Sequence, residues 1–94
     1  MNERPNNWNA LQVTILRGLA EGKTGTFDRW NRLCLDGQPM TSGHSTTPYT
    51  LFRRGLIVSD GETVYLTDRG VSFLTETFGL SFELLGATIK LSKA

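Results

Sequence analysis

The stretch TPYTLFRRGLIVSDGETVYLTDRG, residues 47–70, decides the fold. Pro48 lacks an amide hydrogen, so it does not belong inside a helix but suits the first helical position. With Thr47 as N-cap and Pro48 following, a helix of about two turns is predicted to reach Arg54. Gly55 then supplies the left-handed residue that ends it. Leu51 is its inward residue, with Phe52 or Tyr49 beside it. Leu56-Ile57-Val58 reads as a buried strand and Thr63-Val64-Tyr65-Leu66 as a second. Asp60-Gly61 between them is a strong hairpin signal, because a tight turn of this kind needs positive φ at both positions. Thr67 is predicted to cap a further helix, with Val71, Leu74 and Phe78 on one face, Phe73 as a second contact and Gly79 at its end.

Working outward, Trp8, Leu11, Ile15 and Leu19 recur at helical spacing, and Leu16 and Ala20 widen the stripe. A helix over about residues 8–21 follows, capped by Asn7 and closed by Gly22. Residues 1–7 are polar, contain Pro5 and read as a flexible tail. Residues 24–36 admit two readings. Phe27, Trp30, Leu33 and Cys34 fit a short amphipathic helix capped by Thr26 and ended by Gly37, which is the preferred reading; Gly25, Thr26 and the aromatics also suit the opening of a strand. Residues 38–47 are a loop by composition. After residue 79 the tail alternates Leu80, Phe82 and Leu84, then Ile89 and Leu91, with Gly86-Ala87 between. It reads as two short strands or one extended arm. Such an apolar segment either covers the domain's own core or meets a partner.

The chain has 94 residues, enough for one small domain and too few for two. No apolar run approaches the roughly 18 residues of a membrane span, and the polar N-terminus is unlike a signal peptide. A lone cysteine, Cys34, forms no internal disulfide and suits a reducing, cytoplasmic setting. The formal net charge is +1, which argues against a uniformly basic nucleic-acid binder. Its distribution is uneven. Arg4, Arg17, Lys23, Arg29, Arg32, Arg53 and Arg54 outnumber Glu3, Glu21, Asp28 and Asp36 in the first 58 residues, giving +3 there and −2 in the remainder. A basic face on a nearly neutral chain is therefore expected if the arginines converge.

Two motifs resemble those of winged helix-turn-helix proteins. Thr50-Leu51-Phe52-Arg53-Arg54-Gly55-Leu56-Ile57 is similar to the end of a recognition helix entering a wing. Tyr65-Leu66-Thr67-Asp68-Arg69-Gly70 is similar to the segment that leaves the wing and opens the last helix. The resemblance covers residues 8–79 and implies an α+β fold, a winged helix-turn-helix with a short β-hairpin wing, to which residues 80–94 add a C-terminal apolar arm. It is similar to small regulators encoded by phages or other mobile elements. In family members that bind DNA, the recognition helix enters the major groove. The resemblance thus implies double-stranded DNA as partner, met near Ser45 and by Thr46, Thr47, Tyr49, Thr50, Arg53 and Arg54, with Arg29, Arg32 and Lys23 adding phosphate contacts.

The rival expectation is a protein–protein interaction module, such as an inhibitor or adaptor of a host complex. Pro48 shortens the recognition helix, and the wing tip Asp60-Gly61-Glu62 carries two acids and no base. Trp30 would be an interface anchor in this reading, although a core position is the more ordinary place for a tryptophan. A homodimer through residues 80–94 is a further expectation. Catalysis is not expected. His44 is the sole histidine, and no nucleophile motif frames it or Ser42. Cys34 and His44 cannot supply a zinc site, so neither metal nor cofactor is expected, and Cys34 suits a small core position.

Overall fold

The computed structural model describes residues 10–85 and 88–92. Its elements run α1 (Ala10–Ala20), β1 (Gly25–Phe27), β2 (Leu33–Leu35), β3 (Gln38–Pro39), α2 (Thr47–Arg53), β4 (Ile57–Ser59), β5 (Thr63–Leu66), α3 (Asp68–Phe78), β6 (Ser81–Leu85) and β7 (Thr88–Ser92). The fold is α+β. Five strands form one antiparallel sheet in the order β3-β2-β1-β5-β4, and β6 pairs with β7 in a separate hairpin.

The core follows the apolar spacing of the sequence. Ile15, Leu16 and Leu19 of α1 meet Leu51 of α2, Leu74 of α3, and Leu33, Leu35, Ile57 and Val64 of the sheet. The expected cap Asn7 and the first stripe residue Trp8 lie outside the described residues. In α2 the expectation shifts by one residue. Thr46 is the N-cap, its side chain makes no capping bond, and Thr47 is already helical. Leu51 is fully buried and Phe52 is its half-buried companion; Tyr49 faces solvent. Gly55 turns the chain at φ 74°, as the sequence leads one to expect.

The β4–β5 hairpin forms, but not through a turn with two positive φ values. Among its turn residues only Gly61 has positive φ. The Asp60 side chain instead accepts the amides of Glu62 and Thr63 at 3.1 and 2.9 Å. These bonds, led by that of Thr63, hold the Asp60 carboxyl below its ordinary range. Val58, expected in the core, is exposed, because only alternate residues of an edge strand face inward. Thr67 caps α3 as expected, its hydroxyl accepting the Gly70 amide at 3.0 Å, and Gly79 ends it in the left-handed conformation. Phe78, expected on the inner face, is exposed and meets Phe73 edge to face.

The larger correction concerns residues 24–36. The helix preferred there does not form; β1 and β2 pair as a hairpin, with Thr26 opposite Cys34 and Phe27 opposite Leu33. The cause is local. Asp28 Oδ1 accepts the amides of both Trp30 and Arg32, at 3.0 and 2.9 Å, which competes with helical bonding. Asn31 then adopts φ 63° and reverses the chain. Leu33, Cys34 and Leu35 are all buried. Thr41, also buried, accepts the Leu33 amide at 3.0 Å and ties the following loop to the sheet.

The tail forms two strands, not an extended arm. Phe82 stands opposite Leu91 and Glu83 opposite Lys90. Leu80 and Phe82 pack on the main core, and β7 lies beside α1, so part of this apolar segment covers the chain's own interior.

Gly70 lets α3 pack closely against Leu56 and Leu66. A Cβ there would run into the Leu56 carbonyl oxygen and lie 2.7 Å from Leu66 Cδ1. Glycine to alanine in a helix ordinarily stabilises by about 1 kcal/mol. At Gly70 the sign is expected to reverse, with a net loss of about 1–3 kcal/mol from overpacking. Chemical denaturation of Gly70→Ala checks this; an equal or raised midpoint would contradict it.

Candidate nucleic-acid interface

Helical spacing places Thr46, Tyr49, Thr50, Arg53 and Arg54 on neighbouring turns of the α2 surface. Tyr49 is 62% exposed, and the Arg53 guanidinium lies 5.6 Å from its ring centroid. Thr50, Arg53 and Arg54 line a cavity of about 310 Å³. The Thr50 hydroxyl donates to the Thr46 carbonyl at 3.0 Å. Thr47 is only 8% exposed, so this expected contact residue belongs to the packing of the helix start. Its amide donates to Ser45 Oγ at 3.2 Å. Arg54 also borders a cavity of about 500 Å³ with Leu56, Arg69, Ser72, Phe73 and Glu76. The sequence reading missed Arg69, whose position just after the Thr67 cap was its only signal.

A second cationic group sits at the β1–β2 turn. Trp30 is 60% exposed, contrary to its expected core position. The guanidinium groups of Arg29 and Arg32 each lie 4.9 Å from its ring centroid. Such cation–π contacts contribute about 0.5–1 kcal/mol at exposed sites. Arg32 is fixed further by an ion pair, its Nε donating to Asp28 Oδ2 at 2.7 Å. The turn is thus organised before any partner arrives. Its sequence signature was the pair Asp28 and Asn31, two residues suited to turns.

Two contacts join this turn to the α2 region. The Phe27 and Phe52 rings stack at 6.2 Å between centroids and 26° between planes. A Cβ at Gly43 would run into the Trp30 carbonyl oxygen, so the loop leading to α2 runs directly against the turn. Lys23 belongs elsewhere. It pairs loosely with Glu21 at 3.9 Å and lines a cavity of about 470 Å³ with Arg17 and Asp36.

No family model, curated protein or solved structure matches this chain.

Other polar groups have local roles. The His44 amide donates to Ser42 Oγ at 3.3 Å. Cys34 is buried, and burial together with the nearby Asp28 carboxylate raises its pKa, which keeps the thiol protonated. Among the described residues no three His, Cys, Asp or Glu side chains gather as a metal site would require, and no helix is long and apolar enough to cross a membrane.

Asp28 offers a pH test of the turn. Partial burial raises its pKa, but the main-chain and side-chain bonds from Arg32, the Trp30 amide and the Arg32 charge outweigh this and lower it from 3.8. A depressed carboxyl pKa stabilises the folded form above the unfolded value and loses that contribution as pH falls through the folded value. In a Trp8→Phe chain, where Trp30 is the only tryptophan, fluorescence is therefore expected to stay constant down to the ordinary aspartate range and change only in stronger acid. Far-UV circular dichroism recorded in parallel separates turn loosening from global unfolding. A transition above pH 3.8 with the fold intact would contradict the assignment.

Proposed function

We propose that this chain is a small winged-helix-like protein that binds double-stranded DNA through α2. One observation carries the reading: α2 presents Tyr49 and Arg53 outward and ends at the half-buried Arg54, directly ahead of the β4–β5 hairpin and α3. Arginine and hydroxyl groups on such a surface suit phosphate oxygens, and arginine also suits guanine edges. The β1–β2 turn, with Arg29 and Arg32, stands where a short amphipathic helix ahead of α2 was the preferred expectation. In this reading it adds phosphate contacts in that helix's place.

Fluorescence anisotropy with a labelled mixed-sequence duplex tests the proposal. Binding is expected at low salt and weakens steeply as salt rises, because neutralised phosphates release counterions. Absence of binding at low salt would overturn it.

A protein-interaction module is the second reading, favoured by the wing. Val58 and Tyr65 are cross-strand partners and both exposed, beside the acids Asp60 and Glu62. An apolar pair bordered by negative charge suits a protein surface better than a phosphate backbone. A partner recovered after nuclease treatment and lost in Val58→Asp would support this reading.

A further inference from the structure

We infer that the β1–β2 turn is a stacking site for an unpaired nucleotide, so that duplex DNA carrying a single-stranded extension is the preferred ligand. The inference rests on the duplex-binding proposal and deepens it. Trp30 stays 60% exposed even with two guanidinium groups against it, so an aromatic surface flanked by two cations is open to a ligand. The charge narrows the occupant. A ring bordered by Arg29 and Arg32 suits a ligand that joins a flat π-face to an adjacent negative charge. A nucleotide has both, the base for Trp30 and the phosphate for Arg29.

The two arginines differ in freedom. Arg32 is held by the 2.7 Å bond to Asp28, whereas Arg29 is exposed and, among the described residues, is held by its stacking contact with Trp30 alone. Arg29 can therefore swing toward a phosphate while Arg32 keeps the ring in place. A paired base is already stacked within its duplex and offers no free face. An unpaired base does, and tryptophan accepts any of the four. The main-chain bonds of Asp28 fix the turn in advance, which lowers the ordering cost of binding.

The test compares a blunt mixed-sequence duplex with the same duplex bearing a short oligothymidine overhang, at low salt. The chain is used whole, with Trp8→Phe so that fluorescence reports Trp30 alone. The overhang is expected to raise affinity about tenfold and to quench Trp30 more strongly than the blunt duplex does. Trp30→Ala is expected to remove the overhang advantage, read as the ratio of overhang to blunt affinity within the same variant, and Trp30→Phe to retain part of it. Arg29→Gln is expected to lower the salt dependence of the overhang increment. Equal affinity for both duplexes would overturn this inference and leave duplex binding standing. Failure to bind either duplex would overturn both. An overhang advantage that survives Trp30→Ala would assign the extension to another surface and overturn the role of the turn.

Discussion

Leu51→Ala is expected to lower the unfolding free energy by about 2–5 kcal/mol, the usual range for truncating a fully buried leucine. Leu51 has no solvent exposure and belongs to the cluster that joins α1, α2, α3 and the sheet. Its carbonyl also accepts the Leu56 amide at 3.1 Å, where the chain leaves α2 for β4. A helix of seven residues has too few internal bonds to persist alone, so its position depends on this anchor. Against a total of about 5–15 kcal/mol for a domain, the loss is severe. Each kcal/mol lowers the midpoint of thermal unfolding by roughly 4–8 °C at this size. Tyr49→Ala, two residues away on the exposed surface, is expected to change stability by less than about 0.5 kcal/mol. A loss below about 1 kcal/mol in Leu51→Ala would show that α2 is held by something other than its core contact.

Arg53→Ala combined with Arg54→Ala is expected to do the reverse, sparing most of the stability while weakening duplex binding at least tenfold, or about 1.4 kcal/mol. Both residues border the same cavity on α2, and Arg53 also covers the Tyr49 ring. Each phosphate contact contributes about 0.9 to the slope of log affinity against log salt. Losing two is expected to flatten that slope by nearly two. If these arginines touch only phosphates, the weakening will be uniform across duplex sequences; if one reads guanine, it will be larger on the preferred sequence. A thermal midpoint measured alongside separates lost binding from lost fold. Unchanged affinity and slope in a folded double variant would remove this surface from the proposal.

The parts of the fold legible in the sequence were those where several local signals agreed. Pro48, Leu51 and Gly55 all pointed to one short helix. Thr67, Leu74 and Gly79 did the same for α3, and Asp60-Gly61 marked the β4–β5 hairpin. Residues 24–36 misled because Phe27, Trp30, Leu33 and Cys34 fall at a helical spacing by coincidence. That spacing weighs apolar residues and ignores what Asp28 does to the backbone. Once its carboxylate takes the Trp30 and Arg32 amides, the chain turns and Trp30 moves from an expected core position to the surface. The same error hid half of the candidate site. Arg29 and Arg32 were legible as charges, but their arrangement over a tryptophan ring depends on a turn that spacing alone does not encode. Val58 and Phe78 were placed inside because apolar character was read without the register of an edge strand or the end of a helix.

Binding through α2 is tested most directly by residue-resolved amide chemical shifts recorded while a duplex is titrated into the labelled protein at low salt. The expected result is that shifts concentrate in residues 46–54 and 28–32, with Arg69 affected and β6–β7 quiet. Shifts confined to Val58–Tyr65 or to residues 80–92, or none at all, would contradict it.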